Sequence, residues 1–180
     1  MPLKLKIRNC FVSYHHEYDQ EYIAKLRKII KKMKVYDHSL KTDIGSLTDE
    51  TIYKKIRRKM YNCSVTVVLV GEKTGFRKWI DWEIWASLRN YKHPYDPQKS
   101  FKPNGLLAVF LPCESYSIPD RLQDNIDSGY AVCMDWENLE AEFQQKVELA
   151  YTNRNNAKSR IRNKREKVDR NYWSLFGFRI

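Results

Sequence analysis

Trp79 and Glu83 stand four residues apart in the segment Phe76-Arg77-Lys78-Trp79-Ile80-Asp81-Trp82-Glu83-Ile84. On a helix that spacing puts an indole and a carboxylate on one face, one turn from each other. A carboxylate held beside aromatic rings suits chemistry on a substrate that is cationic or becomes so during reaction. The segment just before, Ser64 to Gly71, reads as a buried strand. It would set the start of the Trp79–Glu83 helix at the carboxyl edge of a sheet, where open α/β sheets bind ligands. The other reading of Glu83 is an exposed helix-flank acid paired with Arg77 or Lys78. Ile80, Ile84 and Leu88 form the stripe that packs on the sheet, and Glu83 lies on its border. There it is expected to be partly desolvated without having to be neutral.

The elements that must position this pair follow from alternating patterns. Ile7 to Tyr14 reads as a first strand and Asp19 to Met33 as a helix. A short strand is expected near Val35-Tyr36, then a polar loop from Asp37 to Leu47. Thr48 is placed to cap a second helix whose buried stripe is Ile52, Ile56 and Met60. The apolar centre of Ser64 to Val70 suits a parallel strand covered on both faces. A helix over about Lys78 to Asn90 follows. Residues 91–104, with Pro94, Pro97 and Pro103, read as a loop or insertion. Leu106 to Leu111 is a fourth strand, 115–129 is irregular, Tyr130 to Met134 is a fifth strand, and Asn138 to Tyr151 is the last helix. The pattern predicts an α/β fold, a doubly wound, flavodoxin-like five-stranded parallel sheet in the order 2-1-3-4-5. In that order the switch point lies between strands one and three. Ser13, Tyr14 and His15, just past strand one, then face the helix of Trp79 and Glu83.

Those neighbours supply ligand chemistry. Tyr14 could stack on a ring, and Ser13 could bond a sugar hydroxyl or phosphate. Phe11 is core or pocket wall. His15 and His16 cap the strand or meet a ligand. In the second loop Lys41 could meet phosphate, and Asp37 or Ser39 could meet ribose. The loop reads equally as ordinary and solvated. No G-x-G-x-x-G and no G-K-[ST] occurs, which speaks against hydride-transferring Rossmann enzymes and P-loop ATPases. The cluster of strand-end acids that a phospho-accepting receiver domain needs is also missing.

Composition bounds the rest. The chain has 180 residues, 42% of them hydrophobic, enough for one packed domain. No apolar run approaches the ~20 residues of a membrane helix, and the first residues lack a signal-peptide core. A cytoplasmic protein without a membrane partner is expected. Cys10, Cys63, Cys113 and Cys133 form no C-x-x-C pair, so free thiols and no metal are expected. The net charge is +11. Between Tyr151 and Arg170 eight basic residues face only Glu166 and Asp169. This suggests a domain over 1–151 and a basic extension over 152–180 with an aromatic end. A solvated, helix-prone extension is the plain expectation, with an acidic partner surface or nucleic acid as alternatives. Overall, nucleic acid is not expected as the partner.

Phe11-Val12-Ser13-Tyr14, the Asp37-His38-Ser39 loop, the strand Ser64 to Val70 and Trp79-x-x-x-Glu83, in that order, resemble a TIR domain. The likeness is to the TIR-like branch that includes ThsB of the bacterial Thoeris anti-phage system, and it spans about Ile7 to Tyr151. His15 to Asp19 departs from the more usual short acidic turn. The resemblance implies that Glu83 is catalytic. It places Phe11, Ser13, Tyr14, Asp37 and Ser39 along a nucleotide pocket, and the residues' own chemistry adds His15, Lys41 and Trp79 to the expected substrate-binding set. It implies NAD as a substrate rather than a bound cofactor, cleaved between nicotinamide and ribose. Water as acceptor would give ADP-ribose and a hydroxyl of the distant ribose a cyclic isomer; the resemblance favours the cyclic product, as a signal that activates an effector protein. A phage-derived trigger and a homo-oligomer are further implied partners. A TIR-type interaction scaffold without turnover is the alternative.

Overall fold

The computed structural model describes residues 6–39, 47–93 and 96–171. Twelve strands and helices follow in chain order: β1 (Arg8–Ser13), α1 (Gln20–Ile30), β2 (Val35–Asp37), α2 (Asp49–Met60), β3 (Val65–Val70), α3 (Lys78–Ser87), β4 (Tyr91–His93), β5 (Asp96–Phe101), β6 (Gly105–Phe110), α4 (Asp120–Asp127), β7 (Val132–Asp135) and α5 (Leu139–Asn156). Five strands form one sheet in the order β2-β1-β3-β6-β7, every pair parallel. This is the doubly wound order expected from the sequence, with the switch point between β1 and β3.

Why β3 is central is plain from its residues. All six are buried, and they alternate between two cores. Val65, Val67 and Leu69 face the layer of α1 and α5, packing with Leu26, Phe143 and Val147. Val68 and Val70 face the opposite layer with Ile80 and Ile84 of α3. A strand apolar on both sides can be stable only when helices cover both faces. Gly105 at the start of β6 allows the close approach of α5: a Cβ there would stand 2.0 Å from the Ala150 carbonyl oxygen.

Three elements depart from the sequence pattern. Residues 91–104 hold an antiparallel hairpin, β4 with β5, rather than a simple loop. Its stacked Tyr61–Phe101 rings, 4.7 Å apart, tie it to the end of α2. Within the supposedly irregular stretch 115–129 lies α4. Its apolar stripe is short, only Leu122 and Ile126 continuing from Ile118, and Arg121 and Asn125 are buried beside it, so little apolar pattern marks the helix in the sequence.

The third departure is the basic extension. Its first residues continue α5 to Asn156, and the chain from Ala157 to Asn171 then crosses α3 and α4 as a strap, helical only in the short 3₁₀ turn Lys158–Arg160. Arg121, 1% exposed, organises it. Its guanidinium donates to both Asp81 carboxylate oxygens at 2.8 and 3.2 Å, and to the carbonyls of Arg165 and Glu166 and the side chain of Asn163. The Trp82 indole N–H donates to the Val168 carbonyl at 2.6 Å, and the Val168 N–H donates to Asp81. The strap's backbone satisfies buried donors of the domain while most of its basic side chains stay exposed, so the extension is solvated on its outer face but docked, and beyond Asn156 it is not the helix expected. The apolar end, with Tyr172 and Trp173, lies outside the described residues.

Candidate functional site

Helix α3 begins without a side-chain cap of its own. The strap supplies one: Asn171 Oδ1 accepts from the Lys78 N–H at 3.0 Å. The helix is then covered on nearly every side. Ile80 and Ile84 pack on the sheet, and Trp82 and Ala86 pack against Ile52 and Ile56 of α2. Asp81 points to Arg121. Glu83 is left at the sheet edge, buried at 8% exposure. There it accepts a 2.5 Å hydrogen bond from the Ser13 hydroxyl, the last residue of β1. The switch-point geometry thus brings together two residues seventy positions apart.

Glu83 is more enclosed than its border position implied. Burial pushes its carboxyl up to about 8, against an opposing, smaller effect of the Ser13 hydrogen bond. The physical cause is loss of water around the charged form. Burial thus favours the protonated form of Glu83 more strongly than the partial desolvation expected from its border position. It is also not the exposed flank acid of the alternative reading: Lys78 instead pairs with Asp49 at 3.1 Å.

The remaining expected residues fall into groups. Tyr14 is buried at the end of β1, its hydroxyl pushed upward by burial, with the Arg27 guanidinium 5.9 Å from its ring. His15 is buried, and its N–H donates to Asp19 at 2.9 Å. Phe11, expected as pocket wall or core, is wholly enclosed with Ile52, Ile56 and Trp82, so it is a core residue. Trp79 is half-buried and packs against that same cluster, with Trp82 edge-on at 5.1 Å. Asp37 and Ser39 stand together but are already engaged. Arg27 donates to Asp37 at 2.7 Å and to the Ser39 hydroxyl at 3.1 Å, and the Ser39 N–H donates to Asp37 at 2.8 Å. They brace the base of the second loop. Lys41 lies outside the described residues.

Sequence reasoning overlooked two features here. Asp19 is a second buried acid, pushed up to about 6 by desolvation. Its Oδ1 lies 3.6 Å from where a Cβ on Gly71 would stand, so it flanks the end of β3. The sequence shows it only as a helix-start acid. The Asp81–Arg121 pair went unseen because α4 itself did. Among the described residues no three His, Cys, Asp or Glu side chains are grouped to hold a metal ion. No described helix is long and apolar enough to cross a membrane.

A family model described as the TIR-like domain of the Thoeris protein ThsB matches residues 11–109. The chain belongs to that family. The matched span runs from β1 into β6 and includes both Ser13 and Glu83, while α4, α5 and the strap lie beyond it. Among solved structures, the chain is similar to the TIR domains in a structure of the activated Roq1 resistosome directly recognizing the pathogen effector XopQ. The identity is 11% and the TM-score 0.40, covering 86% of this chain and 83% of that one.

Proposed function

We propose that this member of the ThsB TIR-like family cleaves NAD in anti-phage defence, with Glu83 as the catalytic residue. One observation carries the reading: a buried carboxyl at the switch point of the sheet, bonded to Ser13 and pushed up to about 8. Titratable groups so perturbed at a ligand-binding edge mark functional sites.

The chemistry fits a cationic substrate. The nicotinamide ring of NAD carries a positive charge, and an opposite charge nearby favours the ionised form of a buried acid. Binding therefore drives the proton of Glu83 to solvent water. The bond between the nicotinamide nitrogen and ribose C1′ then breaks, and its electron pair leaves with neutral nicotinamide. The positive charge passes to the ribose as an oxocarbenium ion, which the new carboxylate stabilises. Ser13 holds that carboxylate in place. Trp79 and Tyr14 limit water at the ring. Attack by water on C1′, with loss of a proton, gives ADP-ribose. Attack by a hydroxyl of the distant ribose, which likewise loses its proton to solvent, gives a cyclic isomer, the signal proposed to reach an effector.

Nicotinamide release from NAD, measured on protein from infected cells, tests the reading. Release by the wild type and its loss in Glu83→Gln is the expected result. No release by either protein in that triggered state would favour a non-catalytic interaction scaffold.

A further inference from the structure

Helix α2 turns Ile52, Ile56 and Met60 inward. Its opposite face and the β4–β5 hairpin enclose a cleft of about 770 Å³, within the size range of small-ligand sites. Lys54, Lys55, Arg57, Arg58 and Lys99 line it, and none of its described lining residues is acidic. Among the described residues, only Lys54 of these five has an ion-pair partner, Glu50 at 2.7 Å. Among the described residues no carboxylate lies within ion-pair distance of Lys55, Arg58 or Lys99. Packing five cations around one concave space costs self-repulsion and concentrates positive potential, which attracts polyanions.

The cleft also has rings. Tyr61 and Phe101 stack at 4.7 Å with 19° between planes, and His93 lies 6.0 and 5.9 Å from them. Lys99 Nζ stands 5.6 Å from the Phe101 centroid. Arg57 lies over the Tyr91 ring at 4.6 Å, and its Nε is buried with no hydrogen-bond partner among the described residues. Packing against the Tyr91 ring fixes this guanidinium at the cleft wall, so its positive charge bears on the cleft while Nε itself is enclosed.

We infer that this cleft is a second binding site, for a phosphate-bearing nucleotide, either free or as part of an unpaired nucleic-acid strand. Cations that track phosphates, interleaved with rings on which bases stack, are what such ligands require. The site shares no residue with the Ser13–Glu83 pair, so it stands apart from the reading of NAD cleavage.

The test uses the full chain and a fluorescein-labelled oligothymidylate of about 12 nucleotides, read by anisotropy at low salt. ATP and inorganic tripolyphosphate serve as unlabelled competitors. The strand is expected to bind, with affinity falling as salt rises. Arg58→Glu combined with Lys99→Glu should weaken it about tenfold or more. Both side chains are exposed, so an unchanged melting curve separates lost binding from lost fold. Phe101→Leu should weaken the strand and ATP by about tenfold while sparing tripolyphosphate, since stacking is lost and charge is not. Glu83→Gln should bind like the wild type. Competition by ATP identifies a free nucleotide as sufficient, and binding of the strand without ATP competition identifies the nucleic-acid source. No binding at low salt, or full binding by the charge-reversed protein, overturns the site. Unchanged affinity in Phe101→Leu overturns its nucleotide character.

Discussion

Replacing Glu83 with Gln should make the domain more stable than the wild type as pH rises, even though it removes the proposed catalytic group. In the fold Glu83 titrates at about 8, against 4.5 for an unperturbed carboxyl. Between those values the folded chain keeps a proton that the unfolded chain has released. The stability associated with Glu83 is therefore complete below about 4.5 and is lost as pH rises through 8. The loss is about 1.4 kcal/mol for each pH unit in that window, approaching roughly 4–5 kcal/mol by its upper end. Gln keeps the size and can still accept from Ser13, but it does not titrate. Asp19, pushed up to about 6, acts in the same direction in both proteins and cancels in the difference. Urea unfolding of both proteins at pH 5, 6, 7 and 8 gives the comparison. The stability of Glu83→Gln minus that of the wild type should grow steadily across the series. A difference that stays flat with pH would show that Glu83 is not held protonated, and the reasoning about substrate-driven ionisation would fail with it.

Further outcomes follow from the same geometry. Activity of the wild type per unit of free substrate should rise with pH through a limb near 8, because the free site must lose the Glu83 proton. Ser13→Ala removes the hydrogen bond that, among the described residues, favours the carboxylate, so this limb should move to higher pH and turnover should fall. Trp79→Ala should lower the melting temperature by less than a fully buried ring would, for which the cost is about 3–5 kcal/mol, and should also lower activity per folded molecule. Unchanged activity per folded molecule would make Trp79 purely a packing residue. Arg121→Met strands Asp81 in the interior and frees the strap, at a cost of about 3–5 kcal/mol, and limited proteolysis should then cut within residues 157–171. Deleting residues 171–180 removes the Asn171 cap on α3 and the apolar end, and a lower melting temperature or a changed elution volume is expected.

Much of this architecture was written in local patterns. The apolar run of β3 and the stripe of Ile80, Ile84 and Leu88 pointed to the sheet and to the helix that packs on it. Thr48 does cap α2, with Oγ1 accepting from the Thr51 N–H. Once the strand order is known, the meeting of Ser13 with Glu83 follows from parallel topology. What escaped depends on contacts distant in sequence. Arg121 looks like a surface residue until Asp81 and three strap groups surround it, and α4 is easily overlooked because it is only eight residues long and its short Leu122 and Ile126 stripe is interrupted by buried polar side chains. The degree to which Glu83 is desolvated needed the third dimension too. Its helix is apolar on several sides, and the packing of α2, β1 and the strap around it turns a border position into an interior one. The engagement of Asp37 and Ser39 by Arg27 was equally hidden, since Arg27 reads as an exposed helix residue.

The most direct test of the central claim is mass spectrometry of the products formed from NAD in phage-infected cells carrying either the wild type or Glu83→Gln. The wild type should yield nicotinamide together with ADP-ribose or its cyclic isomer. Glu83→Gln, present at equal folded abundance, should lower that yield on the order of 10²–10³-fold, the typical effect of losing one preorganised electrostatic group. Equal product from the two proteins would contradict the account.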